Sequence, residues 1–513
     1  MNISSTPNRA LRIICTWLWI CFIASTTATA QQPTFWPKNN EAVPVDTRLS
    51  LTFPSPPILG KEGWIRIYDV STDELVDSLD ISKPAGLTES RTYGDDCDYA
   101  HLPYQYARTA MPTNRTVRPG TSSHPEAEDT PDDYQLNIIG GFTDGFHFHP
   151  VLVRGNTANI YLHNNMLDYG HSYYVTVDKS VFPVKGFRGI RKKDGWTFTI
   201  KPAAPVADTL YVNNDGTGDF CTVQGALDHI PDFSTRRYVI IIAAGDYEEI
   251  VYARNKTNVL IQGAGMESTK VHYANNEVFN PHPLRVKTNE WPGTFPSRRA
   301  AFMLDNCHDI VLQDFTVATD LIGQAEGLLL NGERIALHRV HIIGSGDALQ
   351  ANGTIYMENC QIDGGGDTIL GRGAVFAYHC DFRNDGGPFT WVRNTCGTHG
   401  DVFVECTFSC PNGRRCDYGR TPNNHGKGYP YAELVVIDCK VRNLAPSGWG
   451  VIGEPTAVML EYQTRDMDTN LLVDTSQRAP YSRQLNPETD ANLIRCYRNP
   501  AYVLKGWNPQ NDK

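Results

Sequence analysis

No segment of this chain stays apolar for the roughly 20 residues that a bilayer-spanning helix requires; the longest such stretch is residues 13–24, IICTWLWICFIA. Basic residues are also in short supply. Lys and Arg number 46 against 57 Asp and Glu, a net charge of −11 with no long basic run to offset it, which excludes a nucleic acid held through its phosphates. Core-forming residues are not lacking: 41% of the chain is hydrophobic and 20% charged, with 43 Gly and 32 Pro, so neither disorder nor a fibrous repeat fits. At 513 residues the chain is too long for a small disulfide scaffold, and either half is able to bury a sizeable interior.

Residues 1–30 read as a secretory signal peptide. Arg9 and Arg12 precede the apolar run, and Ala28, Thr29 and Ala30 offer a small-residue cleavage site before Gln31. The alternative, a membrane anchor, needs a longer apolar run. The mature chain is therefore expected to be secreted, periplasmic or extracellular, without an anchor. Of 13 Cys, Cys15 and Cys21 leave with the signal, so an odd number remains and at least one thiol stays unpaired unless chains are cross-linked. Cys410 and Cys416, in SCPNGRRCDYG, are the expected disulfide of such a compartment.

Residues 31–201 carry short alternating runs, RLSLTF (48–53), WIRIYDV (64–70), ANIYLH (158–163), SYYVTVD (172–178) and WTFTI (196–200), separated by Pro, Gly and Asn. That pattern predicts a β-sandwich. The opening WPKNNEAVPVDTRLSLTFPSPP resembles Ig-like modules at the front of bacterial secreted enzymes. Residues 84–150, rich in Asp, Thr, Pro and Gly, read as an insertion without a chemical signature. Lys185, Arg188, Arg191, Lys192 and Lys193 read as a solvated charged surface. Residues 202–208 read as a linker to a second domain, 209–513.

That second domain repeats. Apolar residues recur at offsets 0, 2, 5 and 7: Val259/Ile261/Ala264/Met266, Ile310/Leu312/Phe315/Val317, Ile335/Leu337/Val340/Ile342, Ile355/Met357/Cys360/Ile362, Val375/Ala377/Cys380/Phe382 and Leu434/Val436/Cys439/Val441. Phe403, Cys406 and Phe408 follow the same pattern with Asp401 in first place. Two short strands per turn with a corner between them describe a parallel β-helix, whose stacked coils bury one continuous interior. The fold class is all-β, a parallel β-helix behind a β-sandwich. Cys360, Cys380, Cys406 and Cys439 share one address on successive coils, as small buried hydrophobes do. This column carries no His at matching spacing, which argues against a metal site there.

Asp347 and Asp367 lie at the same offset from the strand starts at Ile335 and Ile355. On adjacent coils, roughly 4.8 Å apart, their side chains should stand side by side. Like charges that close do not both ionise readily, so one carboxyl is expected protonated and the other ionised, an acid paired with a nucleophile or base. On spacing alone the pair reads equally well as two aspartates capping turns.

Longer stretches settle between these. TLYVNNDGTGDFCTVQGALDHIP (209–231), RYVIIIAAGDYEE (237–249), NVLIQGAG (258–265), GQAEGLLLNGERIALHRVHIIGSGDALQ (323–350), QIDGGGDTILGR (361–372) and YGRTPNNHGKGYPYAE (418–433) resemble, in order, the conserved segments of the pectin methylesterases, secreted carbohydrate esterases built on a right-handed parallel β-helix. The similarity runs over roughly 209–508, including GWGVIGEP and AYVLKGW. It implies hydrolysis of methyl esters on galacturonan, with Asp367 as nucleophile and Asp347 as general acid and base. It further implies Gln324 as an oxyanion-hole donor, and Arg420 as the cation that keeps Asp367 ionised. No metal or other cofactor is implied. The expected partner is pectin or a related methyl-esterified galacturonan, and the chain is expected to act as a monomer.

The departures from that family lie at the same site. Its second oxyanion glutamine is replaced here by Gly346, and losing such a donor typically costs about 3 kcal/mol. Gln350, or a backbone N–H exposed at Gly346, is the available substitute. Thr421, Pro422 and Asn423 follow Arg420 where the family has Pro-Trp, so stacking on sugar falls to Trp391 or Tyr418, if these are not packed inside. Two other functions compete. A non-catalytic glycan-binding protein is favoured by Gly346; a polysaccharide lyase would require a cluster of acidic Ca²⁺ ligands, and only two carboxylates share an address.

Overall fold

The computed structural model describes residues 32–88, 134–141, 145–281, 298–422 and 428–511. The expected signal peptide at 1–30, and most of the expected insertion (89–133 and 142–144), lie outside the described residues. In the front part the strands Thr34–Trp36, Leu49–Thr52, Thr157–Ile160 and Val151–Arg154 form one antiparallel sheet. Ala42–Val43, Thr197–Ile200, Ser172–Val177, Trp64–Asp69 and Leu75–Asp80 form a second sheet, antiparallel except that Ala42–Val43 runs parallel to Thr197–Ile200. Alternate residues point inward as period-2 patterning requires. Leu49, Leu51, Ala158 and Ile160 of the first sheet meet Ile65, Ile67, Val175 and Phe198 of the second in one core. The basic cluster is partly paired on the surface, Lys192 with Asp73 and Arg191 with Asp194.

Among the described residues the remainder is dominated by 21 hydrogen-bonded strands, beginning at Thr209–Val212 and stacked in parallel coils. The sequence repeat and the register agree coil by coil. Val259 pairs with Ile310, Ile310 with Ile335, Ile335 with Ile355, Ile355 with Val375, Val375 with Asp401, and Asp401 with Leu434.

The jump from offsets 0 and 2 to 5 and 7 has a backbone cause. Asp314, Arg339, Asn359, His379, Glu405 and Asp438, each four residues past a strand start, all take positive φ between 50° and 60°. One left-handed residue turns the chain through the corner and restores the inward face one residue later. The first coil lacks that residue and departs from expectation. There Val271, not Met266, pairs with Val317, while Ala264 is exposed and Met266 half-buried, because a turn around Gly265 lengthens the corner.

Cys360, Cys380, Cys406 and Cys439 form the expected buried column. Cys410 and Cys416 are not a disulfide here. Both are buried free thiols, and each has its own acceptor, Asn412 Oδ1 at 3.3 Å for Cys410 and the Asn384 carbonyl at 3.6 Å for Cys416. Among the described residues no helix is long and apolar enough to cross a membrane.

Candidate active site

The strands that follow the acidic residues are in register: Leu328 pairs with Leu349, and Leu349 with Ile369. Asp347 and Asp367 each stand two residues before these positions, so they share one address on neighbouring coils. Glu326 occupies that address on the coil before them, which makes three carboxylates rather than the expected two. The turns leading in are packed backbone to backbone. Gly346 N donates to the Gly323 carbonyl at 2.7 Å, and Gly366 N donates to the Gly346 carbonyl. A Cβ at position 346 would lie 2.6 Å from the Gly323 oxygen, so glycine is what lets the coils approach this closely. The Gly346 N–H is therefore not exposed, contrary to one of the two substitutes considered for the lost oxyanion donor. The other, Gln350, lies on the outward-facing column between Leu329 and Leu370; it is 8% exposed, and its amide makes no hydrogen bond to a described residue.

Two arginines hold the acids apart in character. Arg420 grips Asp367 with a planar fork, Nε to Oδ1 at 2.7 Å and Nη2 to Oδ2 at 2.6 Å, the geometry in which a guanidinium best stabilises an ionised carboxylate. Arg299 serves the other side. It ion-pairs with buried Glu326, reaches Asp347 Oδ2 at 3.3 Å through Nη2, and donates from Nη1 to Gln324 Oε1 at 2.6 Å. That last bond fixes the Gln324 side-chain amide, whose NH₂ donates to no described residue; Gln324 itself is exposed.

Burial pushes the Asp347 carboxyl up to about 7, with the nearby Glu326 and Asp367 charges adding to it against the pull of Arg299 and Arg393. Asp347 is thus the acid that holds its proton longer, and Asp367 the arginine-held carboxylate. Neither acid accepts a backbone N–H among the described residues, so turn capping does not explain them. The trio also forms no cation cage, since Arg299 bridges Glu326 and Asp347. Of the two aromatics considered for stacking, Tyr418 is fully buried against Phe408 and Trp449. Trp391 stands at the site, with the Arg393 and Arg420 guanidinium carbons 4.4 and 4.9 Å from its ring.

Arg299, Glu326 and Arg393 were not singled out from the sequence. Glu326 was hidden by coil length: it lies sixteen residues past Ile310, whereas each aspartate lies twelve past its own strand start. The four extra residues lie between Val317 and Glu326, in the corner before the site, since Val317 pairs with Ile342 but Glu326 follows by nine residues where Asp347 follows by five. Counting back from Leu328 instead of forward from Ile310 would have found it. Its influence on Asp347 is testable. Glu326→Gln removes a charge that raises the Asp347 pKa and frees more of the Arg299 charge for Asp347, with only the more distant Glu277 competing, so the carboxyl should release its proton at lower pH. Activity that needs protonated Asp347 falls as pH rises through its pKa, about 7 in the parent protein. The alkaline limb of kcat/KM is expected to move toward acid in the variant, and an unmoved limb would dissociate Glu326 from the reaction.

The pectinesterase family profile matches residues 209–402, which include Asp347 and Asp367. The chain is 26% identical over 296 residues to probable pectinesterase 8 of Arabidopsis thaliana, covering 56% of this chain and 73% of that protein. It is 26% identical over 304 residues to pectinesterase 31 of the same plant, covering 55% of this chain and 89% of that protein. Among solved structures, pectin methylesterase from carrot is similar, at 22% identity and a TM-score of 0.47, covering 61% of this chain and 98% of that one.

Proposed function

The chain belongs to the pectinesterase family, carbohydrate esterases that hydrolyse the methyl esters of pectin, and from that premise we propose that Asp367 is its nucleophile and Asp347 its general acid and base. The observation that carries the assignment is the division between the two acids: one is held by the Arg420 fork, while the other is buried and protonated up to about pH 7. An Asp367 oxygen attacks the ester carbonyl carbon and the carbonyl π electrons move to oxygen. Collapse of the tetrahedral species expels the methoxy group, which takes the Asp347 proton and leaves as methanol. Asp347, now ionised, takes a proton from water as that water attacks the acyl-enzyme, and the galacturonate carboxylate is released with Asp367 regenerated.

Gln324 and Gln350 donate to the oxyanion, Gln350 standing in for the glutamine that Gly346 replaces. Methanol release from esterified pectin tests the reading directly. Gln350→Ala is expected to lower kcat by about 10²-fold, the usual loss for one oxyanion donor, with little change in thermal stability. A variant as active as its parent would leave Gln324 as the sole side-chain donor. Restoring the family residue by Gly346→Gln should not help, because its Cβ would meet the Gly323 carbonyl.

The wider organisation follows from the same reading. Residues 31–201 are an Ig-like β-sandwich module, 202–208 its linker, and 209–513 the catalytic β-helix of a secreted monomer. All four residues implied by the family resemblance lie in the β-helix. The module is fastened to it where the Asp46 carboxylate accepts the Cys221 and Thr222 N–H groups and the Thr222 hydroxyl.

A further inference from the structure

Beside the acid pair stands a cation with no carboxylate partner among the described residues. Arg393 is only 5% exposed, its Nε is buried without a hydrogen-bond acceptor, and no carboxylate of a described residue lies within ion-pair distance of it. A buried guanidinium left unpaired is costly, and a buried donor without a partner calls for an explanation. Its position follows from the strand Thr390–Val392. Thr390 and Val392 face the interior, Trp391 lies on the outward column one coil beyond Leu370, and Arg393 follows on the same outward side, stacked on the Trp391 ring. The Trp391 Nε1 is likewise buried without an acceptor. Two unsatisfied donors thus stand together, with Arg420, the partner of Asp367, on the same indole. The Arg393 charge acts on Asp347 and on buried Asp401 without pairing to either.

We propose that Arg393, with Trp391 Nε1, binds the free carboxylate of a uronate unit neighbouring the ester under attack. The inference rests on the pectin methyl ester reading. A de-esterified unit presents two acceptor oxygens that match the guanidinium fork, whereas a methyl ester presents no charge and blocks one oxygen. Arg393 is then a specificity-determining residue that favours an ester lying next to a carboxylate. Its competing role is structural, as a distant counter-charge to Asp401, whose carboxyl burial raises to about 7.

The test uses the full chain and its Arg393→Gln and Arg393→Lys variants. Methanol release is measured from fully esterified and from half de-esterified pectin, beside binding of unesterified polygalacturonate and thermal melts. In Arg393→Gln, kcat/KM on half de-esterified pectin should fall about 10- to 100-fold, the loss expected for a charge-assisted hydrogen bond, and polygalacturonate binding should weaken similarly. The fall on fully esterified pectin should be distinctly smaller, so the ratio between substrates drops. Arg393→Lys keeps the charge near Asp401 and should melt like the parent while recovering only part of that ratio. Equal losses on both substrates with a lowered melt, or unchanged ratio and binding, would overturn the assignment and leave Arg393 as a counter-charge. If the parent releases no methanol from either pectin, the esterase reading fails by itself, and polygalacturonate binding still decides whether Arg393 holds a carboxylate.

Discussion

Asp367→Asn is expected to reduce methanol release by about 10⁴-fold or more while leaving the protein folded, because the substitution keeps the side chain's shape and removes the attacking charge. The fold should tolerate it for a specific reason. Asp367 is held by Arg420 and not by the backbone of its turn, and that guanidinium is 39% exposed, so solvent takes over much of the lost ion pair. The Asn oxygen can still accept from one arm of the fork. If the aspartates served only to cap turns, the outcome would be inverted, with the melt lowered and activity lost in proportion to unfolded protein. Melting curves recorded beside methanol assays separate the two, and a fully active Asp367→Asn protein would remove Asp367 from the chemistry.

What could be read from the sequence follows from where the coils are regular. The coils starting at Ile335 and Ile355 are both 20 residues long, so equal spacing in sequence became equal address in space, and the Asp347–Asp367 pair was visible in the sequence. The same arithmetic failed on either side of those coils. An enlarged corner displaced the inward residues of the first coil from Met266 to Val271, and another concealed Glu326. Insertions at corners are tolerated because they lie outside the stacked strands, and a pattern anchored on strands cannot register them. The arginines were out of reach for a different reason. Arg299 precedes its coil's strand Phe302–Thr319 and meets Glu326 and Asp347 only through stacking, while Arg393 sits in a short run, TWVRN, with no periodic signal. Charge partners across coils are separated by a whole turn of the solenoid, and only register brings them together.

Glu326, Arg299 and Gly346 act together around one site. The glycine lets the backbones of successive turns touch, which removes the space a glutamine side chain would use. The buried Arg299–Glu326 pair then supplies a rigid support behind Gln324 and Asp347. In the free protein the guanidinium is committed to acceptors on three side chains, so its part is to position rather than to meet the ester.

Asp347→Asn should impair turnover on pectin by about 10²- to 10⁴-fold, the range for losing a general acid, and the loss should depend on the leaving group. Methoxide is a poor leaving group and needs the Asp347 proton. An ester of a more acidic alcohol needs it less, so acylation by Asp347→Asn should be partly rescued on such a substrate, whereas Asp367→Asn should gain nothing because its nucleophile is gone. Stability should move the other way from activity. A carboxyl whose folded pKa is raised to about 7 from 3.8 holds more protons folded than unfolded between those values, so it lowers stability as pH rises through that window, by roughly 4 kcal/mol at most. Asparagine does not ionise and escapes that loss. The variant should therefore melt close to the parent at pH 4 and above it at pH 8, a comparison in which the other buried acids titrate equally on both sides and cancel. An Asp347→Asn protein that melts below its parent at pH 8, or shows the same deficit on every ester, would contradict a buried, protonated Asp347 serving as the acid.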